Sequence, residues 1–207
     1  MSAVDLTMPI DREEILALRV GDQVRLHGVL ITARDAAHKF ISESFIQTTN
    51  VPTADRALHA ELLELWRDGA LYHCGPVVAR DPDGSWRFVS AGPTTSIREE
   101  PYEADLIAHF GLRAVIGKGG MGERTLAACR EHGAVYLHAV GGAATLLAST
   151  VHQVVKVFKL EELGVPEAMW VIRVEGFPAV VTMDAHGDSL HARVAQRSRR
   201  VLRKLLG

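Results

Sequence analysis

The sequence predicts an α/β fold, and three observations carry that reading. Apolar runs of strand length, rich in Val, Leu and Ile, recur at residues 23–32, 112–117 and 134–138. Each is followed by a segment whose apolar residues fall at helical spacing, and Gly or Pro marks most of the boundaries. Runs that alternate poorly suit strands covered on both faces, as in a sheet flanked by helices. The apolar share of 47% supplies a sizeable core for such a sheet.

Asp11, with Glu14 three residues later, predicts a capped helix through Leu18, ended by Val20-Gly21-Asp22. Residues 23–32 are read as a strand buried on both faces. Ala37, Phe40, Ile41 and Phe45 then lie at helical spacing within residues 34–45. Residues 47–54 are polar, contain Pro52 and form a loop, after which Leu58, Leu62 and Leu65 share one side of a helix stopped by Asp68-Gly69. Residues 70–73 and 86–90 read as strands, which the turn signal Asp81-Pro82-Asp83-Gly84 pairs as a hairpin.

Pro101 opens a helix to about Phe110 that Gly111 terminates. A strand at 112–117, a helix at 122–132 closed by Gly133, and a strand at 134–138 follow. Gly141-Gly142 opens an Ala/Leu helix to Thr150, and residues 151–158, 169–174 and 179–183 are further β-branched runs. Residues 189–207 form a basic helix with Arg197, Arg199, Arg200, Arg203 and Lys204 on a solvated face.

No Pro/Ser/Gly-rich linker divides the 207 residues, so residues 1–207 are read as one domain, with 193–207 as a basic helical tail. A net charge of -2 gives no general pull toward nucleic acid or an anionic membrane, and neither is expected as a partner. The first residues lack a basic then apolar leader pattern, and no run approaches the roughly 18 apolar residues of a spanning helix. A cytoplasmic location is the expectation. Cys74 and Cys129 are far apart with no CxxC, and both read as packed thiols rather than disulfide or zinc partners. The ten histidines form neither HExxH nor a close Cys/His cluster in sequence, and His38, His138 and His152 read as helix-face or strand residues, so no metal site is expected in this chain. GxSxG is missing, and the spacing from Gly111 to Gly117-Lys118 does not match a P-loop.

The candidate site comes from the ends of apolar runs. Gly92-Pro93-Thr94-Thr95-Ser96-Ile97-Arg98 follows one run, and Val29-Leu30-Ile31-Thr32-Ala33-Arg34-Asp35 and Ala114-Val115-Ile116-Gly117-Lys118-Gly119-Gly120 are its counterparts. Three strand ends thereby deliver Arg34, Thr94 with Arg98, and Lys118. Ligands collect at the carboxyl ends of strands that run into helices. Two arginines grip carboxylates through paired donors and a lysine adds a compact charge, so a small dicarboxylate is the simplest ligand. Plainer readings stand beside these. Arg34 next to Asp35 is also an ion pair at a helix start. Lys118 is a solvated lysine in a tight turn, or part of an anion site with the N–H groups of the following helix. Thr94, Thr95 and Ser96 are candidate caps, and one of them is expected to be one. A threonine hydroxyl is a very weak base, so a role in proton transfer needs neighbouring cations or a metal-bound ligand.

Together these residues resemble the β subunit, or carboxy-terminal domain, of the iron-sulfur hydro-lyases, class I fumarate hydratase and L(+)-tartrate dehydratase. The likeness rests on Thr32-Ala33-Arg34-Asp35-Ala36-Ala37-His38-Lys39, Gly75-Pro76, the Gly92 to Arg98 run, Gly117-Lys118-Gly119-Gly120-Met121 and Leu163-Gly164-Val165-Pro166-Glu167-Ala168-Met169-Trp170. It spans nearly the whole chain, and residues 72–121 look more like the tartrate dehydratase subunit.

The resemblance implies a swivelling β/β/α domain, a mixed sheet with flanking helices, that closes over a [4Fe-4S] cluster held by a separate α subunit. Two distant thiols agree with that division, because such a cluster takes several cysteine ligands. The implied chemistry is reversible removal of water from a 2-hydroxy dicarboxylate, by an α2β2 heterotetramer in which this chain alone is inactive. By carry-over, Arg34, Arg98 and Lys118 bind the substrate carboxylates and Thr94 occupies the proton-transfer position. Two departures are visible. Glu99-Glu100 stands where the family commonly has Met-Asp or Met-Glu, setting two carboxylates beside Arg98. Residues 40–70 look long, with Phe40 where a basic residue is common. The first departure motivates an alternative, a non-catalytic dicarboxylate-binding or regulatory module on the same fold.

Overall fold

The computed structural model describes residues 3–206. Its elements run β1 (Val4–Thr7), α1 (Arg12–Ala17), β2 (Gln23–Thr32), α2 (Asp35–Ile41), α3 (Arg56–Trp66), β3 (Ala70–Tyr72), β4 (Val77–Arg80), β5 (Trp86–Ser90), α4 (Glu100–Phe110), β6 (Ala114–Gly117), α5 (Glu123–His132), β7 (Val135–His138), α6 (Ala144–Ser149), β8 (Val151–Phe158), α7 (Leu160–Leu163), β9 (Met169–Met183) and α8 (Leu190–Leu206). The α/β class and the mixed sheet with flanking helices are as expected.

Strands β1, β2, β3, β6 and β7 lie side by side and parallel. The long β9 runs antiparallel to β2, β7 and β8. Because β9 pairs with β2 on one side of the parallel set and with β7 on the other, β2, β3, β6, β7 and β9 close into a ring. Closure removes the exposed edges these strands would otherwise carry.

The two-residue period of the strands sorts side chains into two cores. Ala70, Tyr72, Ala114, Ile116, Val135, Leu137, Trp170 and Ile172 face one, with Ile15 and Leu18 of the α1 end and Leu147 of α6. Leu71, Val115, Tyr136, Met169 and Val171 face the other, covered by Ile41, Leu62, Trp66, Leu106, Phe110 and Cys129 of helices α2 to α5. Helices α2 and α5 on that second face position the site, because their N-termini follow the parallel strands β2 and β6.

Local signals act as anticipated in most places. Asp11 and Glu14 form a full capping box on α1. Gly111 and Gly133 end α4 and α5 in the left-handed conformation, with φ of 71° and 69°, which costs glycine little. Three expectations need correction, and two short elements were not read. The hairpin is β4 with β5, while β3 is fully buried between β2 and β6. Three apolar residues buried on both faces belong in a parallel sheet, and Val77–Arg80 supplies the half-exposed partner that a surface hairpin needs. Residues 169–174 and 179–183 are one strand, carried through Gly176 at φ 66° and through Pro178. β2 is covered on both faces only toward its end, its first residues alternating exposed and buried. Finally, β1 and α7, four residues each, carried no local signal strong enough to read.

Helix α8 has no buried residue, and Val201, Leu202, Leu205 and Leu206 are exposed beside the basic residues. Among the described residues no helix is long and apolar enough to cross a membrane.

Candidate active site

Parallel pairing fixes where the strands finish. The register Thr32 to Tyr72 to Ile116, with Gly117 beside His138, sets the ends of β2, β3, β6 and β7 in one row. Arg34, His73 and Lys118 follow three of them. The segment 92–98 does not come from a strand of this sheet, since β5 belongs to the separate hairpin. It crosses the row instead, held by bridges from Pro93 to Cys74 and from Thr95 to Lys118. The expected third strand end is thus a strap laid over the other two.

Arg34 and Arg98 meet on Asp35. The Arg98 Nη2 lies 3.2 Å and the Arg34 Nη2 3.8 Å from the same Asp35 oxygen, and Arg34 also reaches Glu167 at 3.4 Å. The contacts of Arg34 are longer than those of a paired-donor carboxylate grip. Its Nε is buried without a hydrogen-bond partner among the described residues. Gly75 is what lets this guanidinium lie down, because a Cβ there would come within 2.6 Å of Arg34 Cδ and Nη1.

Thr94 and Lys118 are bound through their main chains. Thr94 N–H donates to the His73 carbonyl at 2.7 Å, Lys118 N–H donates to the Thr94 carbonyl at 3.3 Å, and Ser96 N–H donates to the Lys118 carbonyl at 3.0 Å. Lys118 has no ion-pair partner among the described residues, whereas Arg34 and Arg98 share theirs. The structure therefore gathers all four expected residues along one edge.

Two local expectations are corrected. Thr95 stands at the N-cap of a 3-10 turn, Ser96–Glu99, but gives it no side-chain hydrogen bond, and Ser96 is buried elsewhere. The N–H groups at the start of α5 do hold an anion, and it is Glu100. Its carboxylate accepts from the N–H groups of Gly122, Arg124 and Thr125 and from the Thr125 hydroxyl at 2.7 to 3.3 Å. A carboxylate on free N–H groups at a helix start satisfies both hydrogen bonds and dipole, so that end of α5 is filled from within the chain.

Beneath this edge lies a group that the sequence reading missed. His38, His73 and Glu103 are fully buried and mutually in contact. His73 Nε2 is 2.8 Å and His38 Nε2 3.2 Å from Glu103 Oε2, and the three ligand-type atoms lie within 4.8 Å of one another. Such a set could hold a metal ion, but its spacings are also those of ordinary hydrogen bonds. Burial disfavours the charge on His38, yet the Glu103 carboxylate overcomes it and holds that ring's pKa up. For His73 burial wins and the pKa falls. Burial also opposes ionisation of Glu103, but the two imidazoles keep its carboxyl well below the usual range. Glu99 lies on the same helical run four residues before Glu103, is buried, and has neither carboxylate oxygen partnered among the described residues. Burial first, with Asp35 and Glu103 adding to it against the His38 charge, pushes it up to about 7. The sequence signal was faint: Ser96, Glu99 and Glu103 at helical spacing, polar residues where a core-facing stripe belongs.

The thiols do not fit an iron-sulfur cluster. Cys74 and Cys129 are both fully buried and belong to different cores. Burial pushes Cys74 up to about 12 and raises Cys129 as well, away from the thiolate a metal needs.

Comparison with known proteins points one way. Residues 1–194 match the family model described as Fumarase C-terminus. A Geobacillus stearothermophilus protein named "Putative fumarate hydratase class I" is 48% identical over 195 residues, 94% of this chain and 35% of that protein. This chain therefore spans about a third of that relative. A Methanocaldococcus jannaschii protein named "Putative L(+)-tartrate dehydratase subunit beta" is 38% identical over 96% of both chains. The L(+)-tartrate dehydratase subunit beta of Escherichia coli K12 is 38% identical over 90% of this chain and 86% of its own.

Proposed function

The chain belongs to the Fumarase C-terminus family, and from that premise we propose that it is the β-type half of an iron-sulfur hydro-lyase acting on a small 2-hydroxy dicarboxylate. The reaction is reversible loss of water, malate to fumarate or L-tartrate to oxaloacetate. A separate α subunit carries the [4Fe-4S] cluster, and the two assemble as α2β2. The names of the relatives support the reaction class, and the subunit names among them support a partner chain.

One observation carries the reading for this chain's own residues: two arginines converge on a single carboxylate, with one buried guanidinium N–H of Arg34 left unspent. In the proposal Arg34 and Arg98 take the substrate carboxylates in closer contacts than Arg34 makes with Asp35, and Lys118, without an ion-pair partner among the described residues, adds its charge. Paired Arg–carboxylate bonds orient as well as bind. Thr94 sits where the proton next to the leaving hydroxyl is moved. Its main chain is bonded to those of His73 and Lys118, and in the proposal a cation of this edge assists a hydroxyl that is otherwise too weak a base.

The non-catalytic alternative drew on Glu99-Glu100. Glu100 is consumed by the α5 start and Glu99 is buried, and neither forms an ion pair with Arg98 among the described residues. That motive falls away. Anaerobic co-production with an α-type partner tests the proposal, with malate, fumarate and L-tartrate as substrates. Turnover of one of them by the pair, and none by either chain alone, is expected. A cluster-loaded pair that turns over none of these acids, while a control hydro-lyase does, refutes it.

A further inference from the structure

We infer that His38, Glu103 and His73, with Ser96, are positioning residues: one buried hydrogen-bonded relay that locks the main chain around Arg34 to the crossing of Thr94 over Lys118. The inference deepens the proposed function and rests on it for the part that concerns turnover.

The relay runs without a gap. His38 Nδ1 donates to the Arg34 carbonyl at 2.9 Å. His38 Nε2 and His73 Nε2 meet the same Glu103 oxygen. His73 Nδ1 lies 2.9 Å from Ser96 Oγ, which also accepts from the Lys118 N–H at 3.2 Å and lies 2.9 Å from the Tyr136 hydroxyl. The His73 carbonyl meanwhile receives the Thr94 N–H at 2.7 Å. Each of Arg34, Thr94 and Lys118 thus has a main-chain atom bonded directly to a relay residue. Arg98 follows on the turn that Ser96 begins.

Proton counting assigns the charge states. A carbonyl only accepts, so His38 must carry hydrogen on Nδ1, and facing an ionised carboxylate it must carry hydrogen on Nε2 as well. His38 is therefore an imidazolium. Ser96 Oγ has one hydrogen, and with Lys118 and Tyr136 donating to it, that hydrogen goes to His73 Nδ1. His73 is then neutral, protonated on Nε2 toward Glu103. One positive and one negative charge cancel inside a dry site where a lone charge would be costly.

Gly117 shows that the fold makes room for this chain. A Cβ there would stand 1.8 Å from Ser96 Oγ and 3.1 Å from both His73 Nδ1 and the Tyr136 hydroxyl. Its φ is not in the left-handed region, so space for the relay, not backbone conformation, demands glycine.

The test has two arms on the α-paired protein. In nitrogen-15 NMR at pH 7.5, His38 should show both ring nitrogens protonated and His73 only one. A neutral His38 overturns the inference whether or not the enzyme turns over. So does a stoichiometric divalent ion other than iron that His38→Gln removes. In kinetics, Glu103→Gln keeps shape but removes the charge, and should raise KM about 10-fold to 100-fold through misplaced carboxylate contacts. Ser96→Ala, which cuts only the end of the relay, should raise KM in the same direction if Glu103→Gln does not fold. Loss confined to the amount of folded protein, with KM unchanged in either variant, overturns it. If the wild-type pair turns over no acid, the proposed function fails and the NMR arm still decides the relay.

Discussion

Glu99 offers a prediction that needs no substrate. Its carboxyl is buried, unpartnered and pushed from 4.5 up to about 7. A folded-state pKa above the unfolded one means that its contribution is fully present below about pH 4.5 and is lost as pH rises through about 7. Between pH 5 and pH 8 the linkage relation places a ceiling of about 2.5 kcal/mol on that loss. Arg98, half exposed, already opposes the rise, and solvent that reaches the ionised carboxylate lowers the expected figure to about 2 kcal/mol. Glu99→Gln removes the titration and keeps the shape. Urea unfolding of the full chain, followed by circular dichroism at both pH values, should therefore show the variant gaining about 2 kcal/mol on wild type between pH 5 and pH 8. The constant cost of burying an amide cancels in that difference. His38 is held by the same Glu103 in both proteins, and the smaller pull of Glu99 on it enters the difference only where Glu99 is ionised. A variant-minus-wild-type difference that is the same at both pH values would show that Glu99 is not held neutral by burial, and the reasoning would be wrong.

Other expectations follow from the site. Arg98→Ala should cost about 3 kcal/mol in kcat/KM of the α-paired enzyme, since it removes a charged hydrogen bond to substrate; an unchanged kcat/KM would remove Arg98 from the site. Thr94→Val keeps the size and should depress kcat more than it raises KM, and equal changes in both would make Thr94 a positioning residue only. Glu100→Ala empties the start of α5 and should lower stability by about 1 to 2 kcal/mol in thermal unfolding. Retained stability there would mean that water replaces the carboxylate at no cost.

Much of the fold was legible because periodicity and punctuation are local. Gln23–Thr32 and Val151–Phe158 are strands with the boundaries read from their apolar runs, and Gly111 and Gly133 end helices for the reason glycine usually does. The errors lie where pairing partners are chosen. Ala70–Tyr72 has no local mark that sends it between β2 and β6 rather than into a hairpin. Residues 169–183 contain Gly176 and Pro178, which read as a break, yet β9 tolerates both.

The candidate site divides the same way. Arg34, Thr94, Arg98 and Lys118 stood out in the sequence because cations and hydroxyls that follow apolar runs are local patterns. Nothing local joins His38 to His73, 35 positions on, or to Glu103; only the packing of α2 and α4 over the ends of β2 and β3 brings them within hydrogen-bond reach. The sequence by itself determined most of the elements, the cations and hydroxyl that follow apolar runs, and a count of two cysteines. The tertiary structure alone decided strand order, the closure of the ring through β9, and which buried charges neutralise one another. The physical reason is range: torsional preference and side-chain periodicity act over a few residues, whereas burial and ion pairing depend on distances through space that chain position does not record.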